Sequence, residues 1–388
     1  MSAAADHAEG ALLGWLAQQR EAMLALLQEL VNTDSNSYDK PGVDAVGAHI
    51  RRFLDRNGIG SETISEQKFG DAIRTRAGEG NEPVLLMGHR DTVFATGEAA
   101  RRPFRIEQAR AYGPGVADMK SGLVMNAFVM AALQKLDQSP AVVGLFTADE
   151  EIGSPSSQAL IEQEARRARA VFNSEPGRAT GAVVTGRKGG AFMRFDITGR
   201  AAHSGANFEQ GISAIEEVAR KTIALHALTD RERGITLNVG VIAGGQTVNT
   251  VAPSARGEVD LRFITHEQRE ATMRKVEEII ATSYVPGTTA RLEICGEFLP
   301  LVETEAGRDL YRHYAGCARD IGFDPPAEFT GGCADSGFAA STGTPTLCGV
   351  GPVGARVHSP DEYLEIDSLV PRAQALALAI LRLNRKSQ

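Results

Sequence analysis

Cysteine is scarce: Cys295, Cys317, Cys333 and Cys348 are the four in 388 residues, and none stands in a Cys-x-x-Cys pair. A cysteine zinc knuckle is therefore not expected. Their wide spacing and apolar neighbours favour reduced, mostly buried thiols and a reducing compartment. Positive charge is not in excess either. Lys and Arg number 41 against 49 Asp and Glu, a formal net charge of −8, which argues against nucleic acid or an anionic membrane as a partner. No run of about 18 uncharged apolar residues occurs, so no membrane span is expected. The N-terminal Met1-Ser2-Ala3-Ala4-Ala5-Asp6-His7 has neither the basic region nor the apolar core of a signal peptide, which makes the cytoplasm the expected location. The sequence has no internal repeat and no low-complexity segment.

What is present is a globular composition, 43% hydrophobic and 23% charged, in a chain long enough for two domains. Apolar periodicity predicts one helix over 8–32 and a second over 41–57, closed by Gly58 as a C-cap. Residues 83–88 read as a strand covered on both faces, ending at His89-Arg90-Asp91. Residues 123–136 are apolar nearly all round, as a buried helix is. A strand-like run then leads to Asp149-Glu150-Glu151. A helix over 156–169 and a short strand over 170–173 follow, the latter ending at Ser174-Glu175-Pro176. This alternation predicts an α/β fold with a mainly parallel sheet and helices on both sides.

From about 187 to 300 the order becomes β-α-β-β-α-β, the ferredoxin-like unit. The first style then resumes, with a helix over 305–321, the glycine-rich Gly331-Gly332-Cys333-Ala334-Asp335-Ser336, a strand over 346–350 and a last helix over 368–383. The expected organisation is an α/β domain in two segments, 1–187 and 301–388, interrupted by an α+β domain over 188–300.

Asp149-Glu150-Glu151 puts three like charges at a strand end, where they repel one another. One reading is a solvated acidic loop. The other is a metal site with a carboxylate base beside it. Three strand-like runs end in a His or a carboxylate, at His89, Glu150/Glu151 and Glu175, and ligands of open α/β sheets collect at the carboxyl ends of strands. Asp118, at a helix start, and His358, in a loop after a strand, are candidates for the same rim. Imidazoles with several carboxylates suit zinc, and two ions about 3.5–4 Å apart need a bridging carboxylate.

These segments resemble the di-zinc amidohydrolases that include glutamate carboxypeptidase, acetylornithine deacetylase and succinyl-diaminopimelate desuccinylase. Gly88-His89-Arg90-Asp91-Thr92-Val93, Gly113-Pro114-Gly115-Val116-Ala117-Asp118-Met119-Lys120-Ser121-Gly122, Asp149-Glu150-Glu151-Ile152-Gly153-Ser154, Ser174-Glu175-Pro176 and His358-Ser359-Pro360-Asp361-Glu362 occur in that family's order. The second has Ser121 where the family has glycine. The resemblance implies two Zn2+ per subunit, with Co2+ or Mn2+ as substitutes. His89 and Glu175 would bind one ion, Glu151 and His358 the other, and Asp118 both, with a cis peptide after Asp118. Asp91 would orient His89, and Glu150 would be the general base and acid.

In the inserted domain, Thr198-Gly199-Arg200-Ala201-Ala202-His203-Ser204-Gly205 resembles the family turn whose histidine reaches the partner subunit's active site. His203 would there help hold the carbonyl oxygen or its oxyanion. Asn249 and Arg262 match substrate contacts, Arg262 through a carboxylate, for which a guanidinium is suited. Gly332 matches a pocket-lining position. Without the family context, His203 reads as a turn histidine and Arg262 as a surface charge.

The resemblance thus implies a di-zinc exopeptidase-type catalytic domain interrupted by a dimerisation domain, hence a homodimer. The substrate would be an N-acyl amino acid or small peptide with a free carboxylate, and the glutamate carboxypeptidase branch is the nearest. The lack of Arg or Lys between 292 and 307 argues against a strongly dicarboxylic preference. The alternatives are an aminoacylase or dipeptidase of the same family and, in another class, a non-catalytic binding member.

Overall fold

The structure is a computed structural model that describes residues 3–136 and 139–385. The chain divides into two compact units, one spanning Met1–Gly186, Glu303–Thr330 and Phe338–Gln388, the other Arg187–Val302 and Gly331–Gly337. Gly331–Gly337 therefore packs with the inserted unit, although in sequence it belongs to the later segment. The reason is local: Arg187 Nη1 donates to the carbonyls of Gly332 at 3.3 Å and Cys333 at 3.1 Å.

In the first unit, β1 (Ser61–Ile64), β2 (Ala72–Ala77), β3 (Glu79–His89), β4 (Pro140–Thr147), β5 (Ala170–Asn173), β6 (Val183–Arg187), β7 (Ala327–Thr330) and β8 (Thr346–Cys348) form one sheet. Its spatial order is β1-β2-β4-β3-β5-β8-β6-β7. The central pairs β4–β3, β3–β5 and β5–β8 are parallel. The pairs β1–β2, β2–β4 and β8–β6 are antiparallel. β4 and β5 are buried along their whole length, because helices cover both faces of a parallel sheet. Pairing of His89 with Thr147 and of Met87 with Asn173 brings the carboxyl ends of β3, β4 and β5 level.

Helix Ser121–Gln134 is buried all round as far as Leu133. It shares one core with Leu12, Leu27, Phe172 and Leu376. Among the described residues, the stretch Val116–Gln134 is long and apolar enough to cross a membrane, and 94% of its most apolar 18-residue window is buried inside the fold. Core packing accounts for its composition.

The helix expected over 8–32 is two helices, Ala3–Ala17 and Arg20–Val31. At the break, the amides of Gln18 and Gln19 bond three residues back, to Trp15 and Leu16, which turns the chain so that both apolar faces meet the core. Helix Lys40–Arg56 ends as expected, with Gly58 at φ +73°. A small sheet was not foreseen. It aligns Gly354–Ala355, Tyr363–Glu365, Arg110–Tyr112 and Arg105–Glu107 in that order. Strands of two or three residues carry no periodicity that a sequence can display.

The second unit has strands Gly189–Thr198, Thr236–Gly244, Ser254–Phe263 and Thr289–Phe298 and helices Ala214–His226 and His266–Ala281. Ser254–Phe263 and Gly189–Thr198 are central, flanked by Thr236–Gly244 and Thr289–Phe298, and all neighbours are antiparallel. This is the ferredoxin-like arrangement. Alternate residues such as Met193, Phe195, Ile197, Val259 and Leu261 face its core. Lys221, buried beside Glu217 at 2.9 Å, donates to the carbonyls of Ile279 and Ile280, while Glu217 accepts from the amides of Tyr284 and Val285. The pair thereby staples one helix to the exposed end of the other.

Candidate metal centre

Three strand ends and two loops converge on one cluster in the first unit. Nε2 of His89 lies 3.3 Å from Asp118 Oδ1, 3.6 Å from Glu175 Oε1 and 3.9 Å from Glu150 Oε2. Nε2 of His358 lies 3.3 Å from Asp118 Oδ2 and 3.2 Å from Glu151 Oε2. Asp118 thus turns one oxygen toward each histidine. His89, Glu150 and Glu175 offer ligand atoms within 4.8 Å of one another, as do His89, Asp118 and Glu151. Distance alone does not separate Glu150 from Glu175 as a ligand.

The small sheet explains how residues so far apart in sequence meet. Tyr112 pairs with Tyr363 in antiparallel register. The residues after Tyr112 therefore run beside those before Tyr363, which lays the 113–118 loop against 358–362. His358 itself holds φ +60°, a left-handed conformation costly for a side chain. Arg102 Nη1, donating to Pro360 O at 2.8 Å, and Ser359 Oγ, donating to Arg356 O at 2.6 Å, hold that turn. The Asp118–Met119 peptide is cis.

Asp91 does more than face a histidine. Nδ1 of His89 lies 3.0 Å from the backbone oxygen of Asp91 and 3.4 Å from its Oδ1. The Asp91 carboxylate accepts from the amides of Glu150 and Glu151, each at 3.1 Å, and from Ser37 Oγ at 2.7 Å. One buried side chain thus fixes the backbone of both tandem glutamates. Asp149 is turned away, accepting from Ser156 and Ser157.

The electrostatics favour a cation. Burial alone would raise the Asp118 carboxyl, but the neighbouring His358 and His89 imidazoles hold it below the usual carboxylate range. Burial raises the Glu151 carboxyl to about 7, against the opposing bond to His358. Bonds to Asp118 and Glu151 raise His358 to about 10. Burial opposes the charged form of His89, yet Glu150 and the neighbouring carboxylates push it well above the ordinary histidine value. A carboxylate field that draws protons onto imidazoles draws a divalent ion more strongly. Nε2 of His89 and Oε1 of Glu151 are buried without a hydrogen-bond partner, which is costly unless an ion or water satisfies them. The donor set of two imidazoles and several carboxylates fits Zn2+.

The second unit separates its candidates into two places. Nδ1 of His203 accepts from the amides of Gly205 and Ala206, both at 3.1 Å. The neutral ring then carries its proton on Nε2. His203 bridges Thr250, and Ser204 N donates to Asn249 O at 3.0 Å, so His203 and Asn249 share one end of the sheet. Arg262 lies near the far end of strand Ser254–Phe263, beside Cys333 and stacked 5.1 Å from the Phe192 ring. Its Nε and Nη2 already hold Asp260, at 2.7 and 3.0 Å. The edge that pairs Nε with Nη2 is therefore occupied, and Nη1 donates to Cys333 Sγ, so each end of the guanidinium already has a partner in this unit. Gly332 sits next to this pair, with its carbonyl taken by Arg187.

Residues 85–382 match the sequence profile of Peptidase family M20/M25/M40. The chain belongs to the M20 peptidase family. Carboxypeptidase G2 of Pseudomonas sp. (strain RS-16) is 30% identical, over 98% of this chain and 93% of that protein. Acetylornithine deacetylase of Vibrio campbellii is 26% identical, over 94% of this chain and 99% of that one. The aminopeptidase PepT structure from Bacillus cereus superposes with a TM-score of 0.77 at 21% identity, over 94% of this chain and 98% of that one. Like its relatives in the M20 family, the protein is a hydrolase.

Sequence reasoning missed three residues around the centre of this M20 member. Ser37 holds Asp91, as described. Arg90 is fully buried behind the acidic cluster, donating to the carbonyls of Thr147 at 3.2 Å and Val43 at 3.0 Å and to that of Asp71. Burial lowers its pKa to about 10, while Asp44, Asp91, Asp71 and Asp149 favour its charge. It is a fixed positive charge beneath the carboxylates. Gly47 makes room for it, since a Cβ there would stand 2.1 Å from Arg90 Nη1. Glu362, the third, was visible only as the end of the His358 segment.

Proposed function

We propose that the chain hydrolyses the amide bond of an N-acyl amino acid or small peptide with a free carboxylate, using two Zn2+ ions per subunit. The observation that carries this reading is Asp118, whose two oxygens each stand 3.3 Å from a different histidine. His89 and Glu175 would hold one ion, His358 and Glu151 the other, and Asp118 both. Bound there, the ions supply Lewis-acid polarisation of the amide carbonyl and lower the pKa of water toward about 7. Glu150, whose Oε2 lies 3.9 Å from His89 Nε2, takes the proton of the attacking water and delivers it to the leaving amine. Asp91 keeps Glu150 in reach by holding its amide. Similarity to carboxypeptidase G2 and acetylornithine deacetylase supports an acylated amino acid as substrate.

His203, with Nε2–H as its donor, suits a developing oxyanion. Its turn and Arg262 are separated by most of strand Ser254–Phe263; the eight steps from Ser254 to Arg262 span roughly 26 Å. A small substrate cannot touch both within one chain. This supports a homodimer in which the partner copy supplies the histidine. Four free thiols fit a reducing compartment such as the cytoplasm.

A hydrolysis screen over N-acyl amino acids and dipeptides, with and without a chelator, tests the reading. Release of an amino acid that stops on metal removal supports it. Hydrolysis unchanged by chelation, with no bound Zn2+, Co2+ or Mn2+ by elemental analysis, refutes it.

A further inference from the structure

The loop that delivers Asp118 has little regular structure of its own. Gly113 and Gly115 hold positive φ, at 143° and 72°, and Asp118 and Met119 depart from helical geometry. Such a loop leaves backbone donors in need of acceptors. Three of them converge on one side chain. Gly115 N donates to Glu362 Oε2 at 3.1 Å, and the amides of Ala117 and Asp118 both donate to Glu362 Oε1 at 2.9 Å. Glu362 is fully buried. Lys120, also buried, donates to Thr33 O at 2.9 Å and interacts electrostatically with Glu362.

Glu362 also stands four residues after His358. One short segment therefore presents the histidine on one side of Asp118 and grips the backbone of Asp118 on the other. We propose that Glu362 is a positioning residue for the metal centre: its carboxylate fixes the 115–118 loop so that Asp118 faces both His89 and His358. This rests on the reading of the cluster as a metal site. A neutral or shorter side chain cannot replace it. The amide of glutamine offers one acceptor oxygen, so at least one of the three N–H groups must face an NH2 group. Aspartate is one methylene too short to meet both ends of the loop.

The test is Zn2+ binding to the metal-free protein, measured by competition with a chromophoric chelator. Loss of a partner that orients a metal ligand weakens affinity about 10–100-fold. Glu362→Gln is expected to bind at least one of two ions more weakly by that factor. Glu21→Gln, an exposed glutamate in the first turn of helix Arg20–Val31 and outside the grip, should keep parental affinity. If the parent binds two ions and Glu362→Gln binds both equally well, the positioning role is wrong and the metal reading stands. If the parent binds none, the metal reading fails and takes this role with it. Should Glu362→Gln not fold, amide hydrogen exchange in the metal-free parent decides. Slow exchange at Gly115, Ala117 and Asp118 supports the grip, and exchange at the rate of exposed loop amides overturns it.

Discussion

The carboxylate of Asp91 accepts the amide of Glu150 at 3.1 Å while its own backbone oxygen lies 3.0 Å from Nδ1 of His89. One residue therefore orients a metal-ligand candidate and the proposed base. Asp91→Asn keeps the shape but turns one acceptor into a donor that faces a backbone N–H. We expect activity to fall about 10–100-fold, with metal content lowered, by steady-state kinetics and elemental analysis. Parental activity would mean that the contacts of Asp91 are structural only.

Glu150→Gln should leave metal content near that of the parent while turnover falls about 100–10,000-fold, the usual worth of a general base. A variant that loses an ion instead would assign Glu150 to the ligand set, an assignment its distance to His89 allows.

His203→Ala and Arg262→Ala should each be nearly inactive alone. In a mixed dimer, one site receives an intact His203 from the partner and keeps its own Arg262. Equilibrated mixing of the two variants should restore about a quarter of the parental sites, since half the dimers are mixed and each has one good site of two. No recovery would place both residues in separate, single-chain roles.

Gly47→Ala should destabilise the first unit by about 1–3 kcal/mol through overpacking, because the new Cβ meets Arg90 Nη1 and, at 2.7 Å, Ile73 Cδ1. Chemical denaturation measures this directly. A neutral outcome would show that Arg90 has room to move.

Burial alone would raise Glu217, but the bonds from Lys221, Val285 and Tyr284 hold its pKa below the ordinary glutamate value of 4.5. A carboxyl lowered in the folded state stabilises the fold above its unfolded pKa and loses that contribution as pH falls through the folded value. The second unit should therefore lose stability below about pH 4.5, and Glu217→Gln should show a shallower loss. Equal slopes for parent and variant would remove Glu217 from the acid response.

The legibility of these features follows their physics. His89, Glu150, Glu151 and Glu175 could be located from sequence because each follows a continuous apolar strand, and parallel strands end on one rim. The ferredoxin-like order was legible because its helices and strands are long enough to show their periods. Ser37, Arg90 and Glu362 act on backbone groups or on residues far away in sequence, so nothing in their neighbours announces them. The short strands Arg110–Tyr112 and Tyr363–Glu365 are equally silent, yet they bring Asp118 and His358 together. The break near Gln18 was hidden because apolar residues on both sides continue the same spacing.

The central claim is a pair of ions flanking Asp118. Anomalous diffraction from crystals of the Zn2+-loaded protein tests it most directly. The account predicts two peaks about 3.5–4 Å apart, one against His89 and Glu175, the other against His358 and Glu151, with Asp118 between them. A single peak, or peaks away from Asp118, would contradict it.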